Sequence, residues 1–546
     1  MKVVIVGGVA GGMSAATRLR RLREDAEIVV LERGPDVSYA NCGLPYHVGG
    51  VITERDRLLL QTPASLNARF ALDVRVRHEV LGIDTASRTV RVKDLDADRV
   101  YSLSYDDLVL SPGASPVVPP VPGAERGLTL RDVGDTDRII ETVGTGGVRS
   151  AVVVGAGFIG VELAENLAHR GLDVTLVELA DQVLPPLDPE MAAPLADELE
   201  RGGVRLRLGT RVTKVLPDAV ELDDGTVAPA ALVVFAAGVR PDTTLARAAG
   251  LETGPRGGIA VDDRQRTSDP HVYAVGDAAE KRDRLTGDST LVPLANLANR
   301  HGRLVADVIA GRPVRSRSAV GTSIVKVFGL TAAATGWNEK RLRDAGRPHS
   351  VIHIHPASHA GYYPGGRQMA LKLLVDPADQ RILGAQAVGG DGVDKRIDVL
   401  ATALATGLTA PELADLELAY APPYGSAKDP VNMLGYVADN RVTDTTDTVQ
   451  WHETEQAARD GAVLLDVRTG GEHAAGAIPG SLNIPVDELR TRLDEIPADR
   501  PVVVYCQVGL RGHTATRILA QHGYDVRNLD GGWLTWQAGR SRRDEK

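Results

Sequence analysis

The chain has 546 residues and only two cysteines, Cys42 and Cys506. So few thiols exclude a disulfide-stapled scaffold, and because the pair falls in what read as separate domains, no structural disulfide is expected. A protein that packs with free cysteine scatters it through its core. Here each thiol stands at the start of a loop, where a thiolate can be exposed and activated. A basic block is missing too: the formal net charge is −10, so a nucleic-acid partner is not expected. No apolar run is long enough to span a bilayer, so no membrane association is expected. The chain opens on the strand-like Lys2–Gly7 instead of a charged leader with an apolar run. The expected setting is a reducing cytoplasm, and the length predicts three or four domains.

What is present is glycine in patterned turns. Residues 3–33 read as strand, turn, helix, strand, with the turn Gly7-Gly8-Val9-Ala10-Gly11-Gly12 and a second strand ending at Glu32, followed by Arg33. Glycines let the backbone approach a pyrophosphate at a helix N-terminus, and a carboxylate ending the second strand accepts from ribose hydroxyls. Val9 replaces the middle glycine of G-x-G-x-x-G, so this copy alone is also compatible with an ordinary strand-to-helix turn. The pattern recurs intact at Gly155-Ala-Gly157-Phe-Ile-Gly160, with Glu178 about 20 residues on. Glu178 is followed by Leu179 with no arginine beside it, which disfavours a 2′-phosphate and predicts NADH over NADPH.

Three further segments follow in order. Thr267–Asp277 resembles the second FAD-binding motif of two-dinucleotide flavoproteins, in which the residue matching Asp277 holds the ribityl and phosphate region. Leu108–Pro116, with Gly113, resembles the crossover between FAD and NAD parts, although Ser111-Pro112-Gly113 departs from the usual Ala-Thr-Gly. Ala236–Asp242, with Gly238, resembles the return from the NAD insert.

Cys42 lies in Ser38-Tyr-Ala-Asn-Cys-Gly-Leu-Pro-Tyr46, and residues 1–440 resemble the coenzyme A-disulfide reductase branch of the pyridine nucleotide-disulfide oxidoreductases. Glutathione-reductase relatives carry Cys-x4-Cys; here His47 stands at the second position, so a single thiol must store its oxidising equivalent as a mixed disulfide or a sulfenate. Ser14, Arg18 and Arg21 share one face of the first helix, a pattern equally that of a solvated face. The resemblance implies that these three, with Ser38, Asn41 and Lys428, contact coenzyme A, whose phosphates suit arginine. It also implies that Tyr362 and Tyr420 reach the active cysteine of the opposite subunit in a homodimer, where a phenol can protonate a departing thiolate. His353, His355 and His359 are joined by no cysteine or carboxylate at ligand spacing, and no metal is expected.

Leu464-Leu-Asp466-Val-Arg468, Gly476–Pro485 and Asp530-Gly-Gly-Trp533 resemble a single rhodanese domain. Strand 501–505 delivers Cys506 into a loop that leads to a helix, where successive backbone N–H groups make an anion cradle for a thiolate or persulfide. Arg511 adds positive charge, and the Cys-x4-Arg spacing is one residue shorter than that of tyrosine phosphatases, which suits sulfane sulfur.

The expected class is α/β: two Rossmann-like dinucleotide-binding domains (FAD and NAD), an α+β dimerisation domain and a C-terminal α/β rhodanese domain. The expected boundaries are 1–118 and 245–318 for the FAD domain, 119–244 for the NAD domain, 319–437 for dimerisation, 438–449 for a linker and 450–540 for rhodanese. The expected chemistry is FAD- and NADH-dependent reduction of coenzyme A disulfide and persulfide at Cys42, fed by Cys506 from sulfane-sulfur donors. Two alternatives stand beside it: an NADH oxidase or peroxidase using a Cys42 sulfenate, and a sulfur-delivery protein whose flavin unit acts as redox control.

Overall fold

The computed structural model describes residues 1–144 and 146–541, arranged in two compact units. The first comprises Met1–Leu179 and Gly203–Gly321; the second comprises Ala180–Gly202 and the chain from Thr322 on.

In the first unit a five-stranded parallel sheet runs in the order Val272–Ala274, Asp107–Leu110, Lys2–Val6, Glu27–Leu31, Asp73–Arg75. Val3, Val4 and Ile5 are wholly buried. The unbroken apolar run of the central strand is therefore that of a strand covered on both faces, each such side chain contributing about 1.5–3 kcal/mol of burial. Helix Ala10–Leu22 packs against helix Ala295–Ile309, and a Cβ on Gly302 would lie 2.1 Å from the Gly11 carbonyl oxygen, so glycine sets that close approach. A second parallel sheet runs Arg205–Arg207, Asp173–Val177, Ser150–Val154, Leu232–Phe235, Leu128–Thr129. The strands Ala114–Pro116 and Val239–Pro241 pair antiparallel where the chain passes between the two sheets and back.

The second unit holds a five-stranded antiparallel sheet in the order Ser323–Val327, Leu330–Gly336, Ile382–Gly389, Met369–Val375, Ser350–Ile354, with helices Val393–Thr406 and Pro430–Val442. A parallel sheet follows, in the order Thr448–Val449, Val526–Leu529, Val502–Tyr505, Val463–Asp466, Leu482–Asn483.

Two expectations about organisation are corrected. The segment 438–449 is not a free linker. Helix Pro430–Val442 continues through its first residues, with Ala438 buried and Arg441 donating to the Val351 carbonyl at 2.5 Å, while Thr448–Val449 already belongs to the last sheet. The Asp429 carboxylate caps that helix by accepting from Val431 N–H, worth about 1 kcal/mol. Only 443–447 connects, its threonines and aspartates forming a hydrogen-bonded turn. Helix Pro189–Arg201, expected inside the NAD domain, groups with the second unit, because Asp188 and Glu190 are ion-paired to the buried Lys372.

Candidate active site

Both glycine turns are packed tightly against the protein's own backbone. Gly7 has φ +99°, and a Cβ there would lie 2.1 Å from the Ser111 carbonyl oxygen; one on Gly12 would lie 1.9 Å from that of Gly7. Only glycine lets the first turn fold back onto its helix. Glu32 accepts from Gly8 N–H and Gly34 N–H, both at 2.8 Å, which fixes its carboxylate at the end of the strand. Arg33 is exposed, 3.8 Å from Glu79. Asp277 lies in the short 3₁₀ turn Gly276–Ala278, where burial pushes its carboxyl pKa up against the pull of Lys281 and Arg131. Burial also brings the Lys281 ammonium down to about 8, and it donates to the carbonyls of Gly276 and Ala279, bracing the turn. Gly113, at φ +75°, follows Pro112, whose carbonyl accepts from Arg131. A glycine cradle, an oriented carboxylate and a buried aspartate at the carboxyl ends of parallel strands fit FAD.

The second turn is cleaner. A Cβ on Gly155 or Gly160 would strike backbone oxygen at 2.4 and 1.8 Å, whereas one on Gly157 would meet nothing within 4 Å. Gly155 and Gly160 are thus required by the fold, while Gly157, at the start of helix Phe158–His169, leaves open space beside backbone N–H groups for a pyrophosphate. Glu178 accepts from Ala156 N–H at 2.6 Å, and Gly238 takes φ +100° with open space about it. The donor and acceptor set fits NADH.

Cys42 sits on the 3₁₀ turn Asn41–Gly43, ahead of helix Leu44–Val48, whose second residue is Pro45. Ser38, in the left-handed region at φ +49°, turns the chain toward it, held by bonds from its N–H to Gly8 and from Leu60 N–H to its carbonyl. Cys42 and Asn41 are exposed. Although the residue is exposed, its sulfur is partly enclosed: desolvation first, then the carboxylates of Glu162 and Asp277, push the thiol pKa up. Glu162 was not singled out from the sequence, nor Tyr46 as its partner. Tyr46 donates to Glu162 at 3.0 Å, and burial lifts the Glu162 carboxyl to about 7. A carboxyl that changes charge near neutrality therefore faces the thiol. Its only sequence signal is a glutamate two residues past the last glycine of the second turn.

The helix face expected to meet coenzyme A is partly spoken for. Ser14 bonds Asn299 at 2.6 Å, Arg18 is ion-paired to Asp307 at 2.7 Å, and exposed Arg21 donates to its own helix, at the Thr17 carbonyl. Arg20 turns inward onto the carbonyls of Phe70, Ala71 and Glu24 and is structural.

In the second unit Tyr362 and Tyr420 are brought together, their hydroxyls 2.7 Å apart and both rings exposed; Lys428 is exposed on a nearby stretch of sequence. Of the three histidines, His353 bonds Asp530 and Glu190, His355 bonds Thr535, and His359 stacks edge-on against Tyr363. Among the described residues, Asp188, Glu190 and Glu339 converge closely enough to hold a cation, and the Lys372 ammonium is that cation.

Cys506 directly follows strand Val502–Tyr505 and is buried, against the expectation of exposure. The turn at Gly532 closes over it: Gly532 has φ +64°, a Cβ there would lie 2.4 Å from the Cys506 carbonyl oxygen, and Trp533 N–H donates to that oxygen at 2.8 Å. The amide cradle is present, with Gly509 N–H 3.2 Å from the sulfur. Arg511 chiefly serves a bidentate pair with Glu472, at 2.8 and 2.6 Å, which holds that carboxyl at about 2; the Cys506 sulfur is a lesser partner. Arg468, quoted only as a motif marker in the sequence, is buried against Asp466, donates to Gln507 and lies 4.9 Å from the Trp533 ring centre, shaping the loop from beneath.

Comparison with known proteins agrees with this geometry. Residues 1–302 match the pyridine nucleotide-disulphide oxidoreductase family, 322–430 its dimerisation domain and 448–539 the rhodanese-like domain. A coenzyme A disulfide reductase of Staphylococcus aureus is 36% identical over 440 residues, covering 80% of this chain and 99% of the relative. Among solved structures, reduced CoADR-RHD of Bacillus anthracis is 48% identical with a TM-score of 0.98, covering 99% of this chain and 98% of that one. An NAD-dependent persulfide reductase from A. fulgidus is 39% identical with a TM-score of 0.93, covering 98% and 100%. The chain belongs to the pyridine nucleotide-disulphide oxidoreductase family and carries a C-terminal rhodanese domain.

Proposed function

We propose that this protein is an FAD- and NADH-dependent reductase of coenzyme A disulfide and coenzyme A persulfide, with Cys42 as nucleophile and Cys506 as carrier of sulfane sulfur. The observation that carries the reading is the joining, in one chain, of a single exposed thiol in a two-dinucleotide unit and a second thiol whose sulfur is held by a backbone N–H.

Cys506 thiolate takes the outer sulfur of a persulfide R–S–SH and releases R–S⁻. Coenzyme A thiolate then accepts that sulfur, becoming coenzyme A persulfide and restoring Cys506. Cys42 thiolate attacks the inner sulfur; the S–S bond breaks, hydrosulfide leaves and a Cys42–coenzyme A disulfide forms. With coenzyme A disulfide the leaving group is coenzyme A thiolate instead. FAD and NADH, held by the residues assigned to them, would supply the electron pair that cleaves the mixed disulfide. Glu162, neutral below about pH 7, lowers the negative charge around Cys42 when the thiolate must form. Gly7, Gly12, Glu32, Arg33, Gly113 and Asp277 are assigned to FAD, and Gly155, Gly157, Gly160, Glu178 and Gly238 to NADH. Arg21, Ser38, Asn41 and Lys428 are the residues best free to meet coenzyme A. Tyr362 and Tyr420 are assigned to protonating the thiolate departing from the partner subunit's cysteine in a homodimer. Their exposed rings, with Tyr424 alongside in sequence, are the kind of surface a partner covers.

The test is a pair of variants assayed anaerobically. Cys42→Ser abolishes NADH oxidation with both coenzyme A substrates. Cys506→Ser keeps turnover of coenzyme A disulfide and of preformed coenzyme A persulfide, but loses turnover when glutathione persulfide and coenzyme A are supplied together. A Cys42→Ser protein that oxidises NADH with persulfide at the parent rate overturns the reading.

A further inference from the structure

Within the second unit, a buried chain of hydrogen bonds leads from the antiparallel sheet to the loop bearing Cys506. His353, on the edge strand Ser350–Ile354, has its backbone N–H 3.0 Å and its Nδ1 2.7 Å from the same Asp530 carboxylate oxygen, while Nε2 lies 3.0 Å from Glu190. Asp530 opens the turn Asp530-Gly531-Gly532-Trp533. Its two glycines both take left-handed φ, and a Cβ on Gly531 would lie 2.7 Å from the His353 Cβ, whereas one on Gly532 would lie 2.4 Å from the Cys506 carbonyl oxygen. The next residues finish the link: Trp533 N–H donates to the Cys506 carbonyl at 2.8 Å and Leu534 N–H to that of Gln507 at 3.1 Å. One side of the turn thus rests on His353 and the other holds the Cys506 loop.

We propose that His353 is a positioning residue for sulfur transfer at Cys506: donating from both ring nitrogens, to Glu190 and Asp530, it fixes the turn that floors the Cys506 loop. A neutral imidazole has one N–H and must turn a lone pair toward one of the two carboxylates, so the arrangement requires imidazolium. Burial works against that charge, but the bonds to Asp530 and Glu190 outweigh it and push His353 up to about 9.

Other ionisable groups surround His353. Lys372, opposite His353 on the neighbouring strand, is held by three carboxylates, and burial is overcome there so that its pKa is raised. His355 is brought by burial down to about 3 and gives Nε2 to Thr535; burial likewise lowers His452. Arg441, from helix Pro430–Val442, is bound to the Val351 carbonyl. Gln450 adds an uncharged donor to Asp530 at 3.2 Å. His353 loses its charge as pH rises through about 9.

This inference rests on the carrier role proposed for Cys506. Its test uses the full-length holoenzyme and follows thiocyanate formation from glutathione persulfide and cyanide between pH 6.5 and 10. Cys506 takes the persulfide sulfur with release of glutathione thiolate, and cyanide removes it as thiocyanate, restoring the thiolate. Coenzyme A disulfide reduction by NADH is the internal control. The parent is expected to lose sulfur-transfer rate as pH rises through about 9. His353→Gln is expected to transfer sulfur about tenfold more slowly at pH 7, to lack that falling limb and to reduce coenzyme A disulfide normally. Asp530→Asn removes a partner that raises the His353 pKa, so its falling limb moves to lower pH. A His353→Gln protein with the parent's rate and falling limb overturns the inference, as does parallel loss of both activities with a lowered Tm. A parent that forms no thiocyanate overturns the carrier role itself, and the inference with it.

Discussion

Cys42, the proposed nucleophile, has surroundings that resist its ionisation: enclosure and the carboxylates of Glu162 and Asp277 all favour the thiol. Because the Glu162 carboxyl is itself raised to about 7 by burial, its negative charge appears only above neutrality. Replacing Glu162 with Gln removes that charge, so the midpoint for alkylation of Cys42 by iodoacetamide is expected to move to lower pH; a midpoint unchanged or raised would contradict this electrostatic account. The stability sign follows from the same shift. Between about pH 4.5 and 7 the folded protein binds the Glu162 proton and the unfolded chain does not, so this group's contribution to stability falls as pH rises through that window. At this scale the sequence was readable where chemistry is local: a lone cysteine without a partner five residues on, and glycines at turn spacing. It was not readable where long-range burial decides. Arg18 is ion-paired to Asp307, distant in sequence, and Cys506 is closed over by Gly532, neither of which local spacing encodes.

At the scale of elements, the two glycine turns share a pattern but divide their labour. Gly160→Ala would place a Cβ 1.8 Å from the Gly155 carbonyl oxygen, so poor soluble yield or a Tm well below the parent's is expected. Gly157→Ala meets open space and should fold normally while raising KM for NADH about tenfold, the cost of a methyl where the pyrophosphate must approach; an unchanged KM would remove Gly157 from the cofactor site. Helix Pro189–Arg201 is bound to the second unit by ionic chemistry. Lys372 is wholly buried with Asp188 at 2.8 Å, Glu339 at 2.5 Å and Glu190 also in contact. Lys372→Met leaves those carboxylates facing one another and is expected to cost about 3–5 kcal/mol in urea denaturation, whereas a loss below about 1 kcal/mol would show that the cluster relaxes freely. The elements themselves were legible from apolar runs and turn residues. The allegiance of this helix was not, because it depends on a lysine far along the chain, and the helical start of 438–449 was hidden by its Asp- and Thr-rich composition.

For the whole molecule, two thiol chemistries on one chain make sense when the product of the second is the substrate of the first. In the proposed function, sulfane sulfur accepted at Cys506 reaches Cys42 as coenzyme A persulfide, whose reduction by NADH releases hydrosulfide. The order of domains was legible because each carries its own motif set. Among the described residues no helix is long and apolar enough to cross a membrane. The most direct test of the account is anaerobic NADH oxidation by the purified flavoprotein with coenzyme A persulfide, counting sulfide released against NADH consumed. The account predicts rapid turnover with one sulfide and one coenzyme A thiol formed per NADH. NADH loss that requires oxygen and releases no sulfide from persulfide would contradict it.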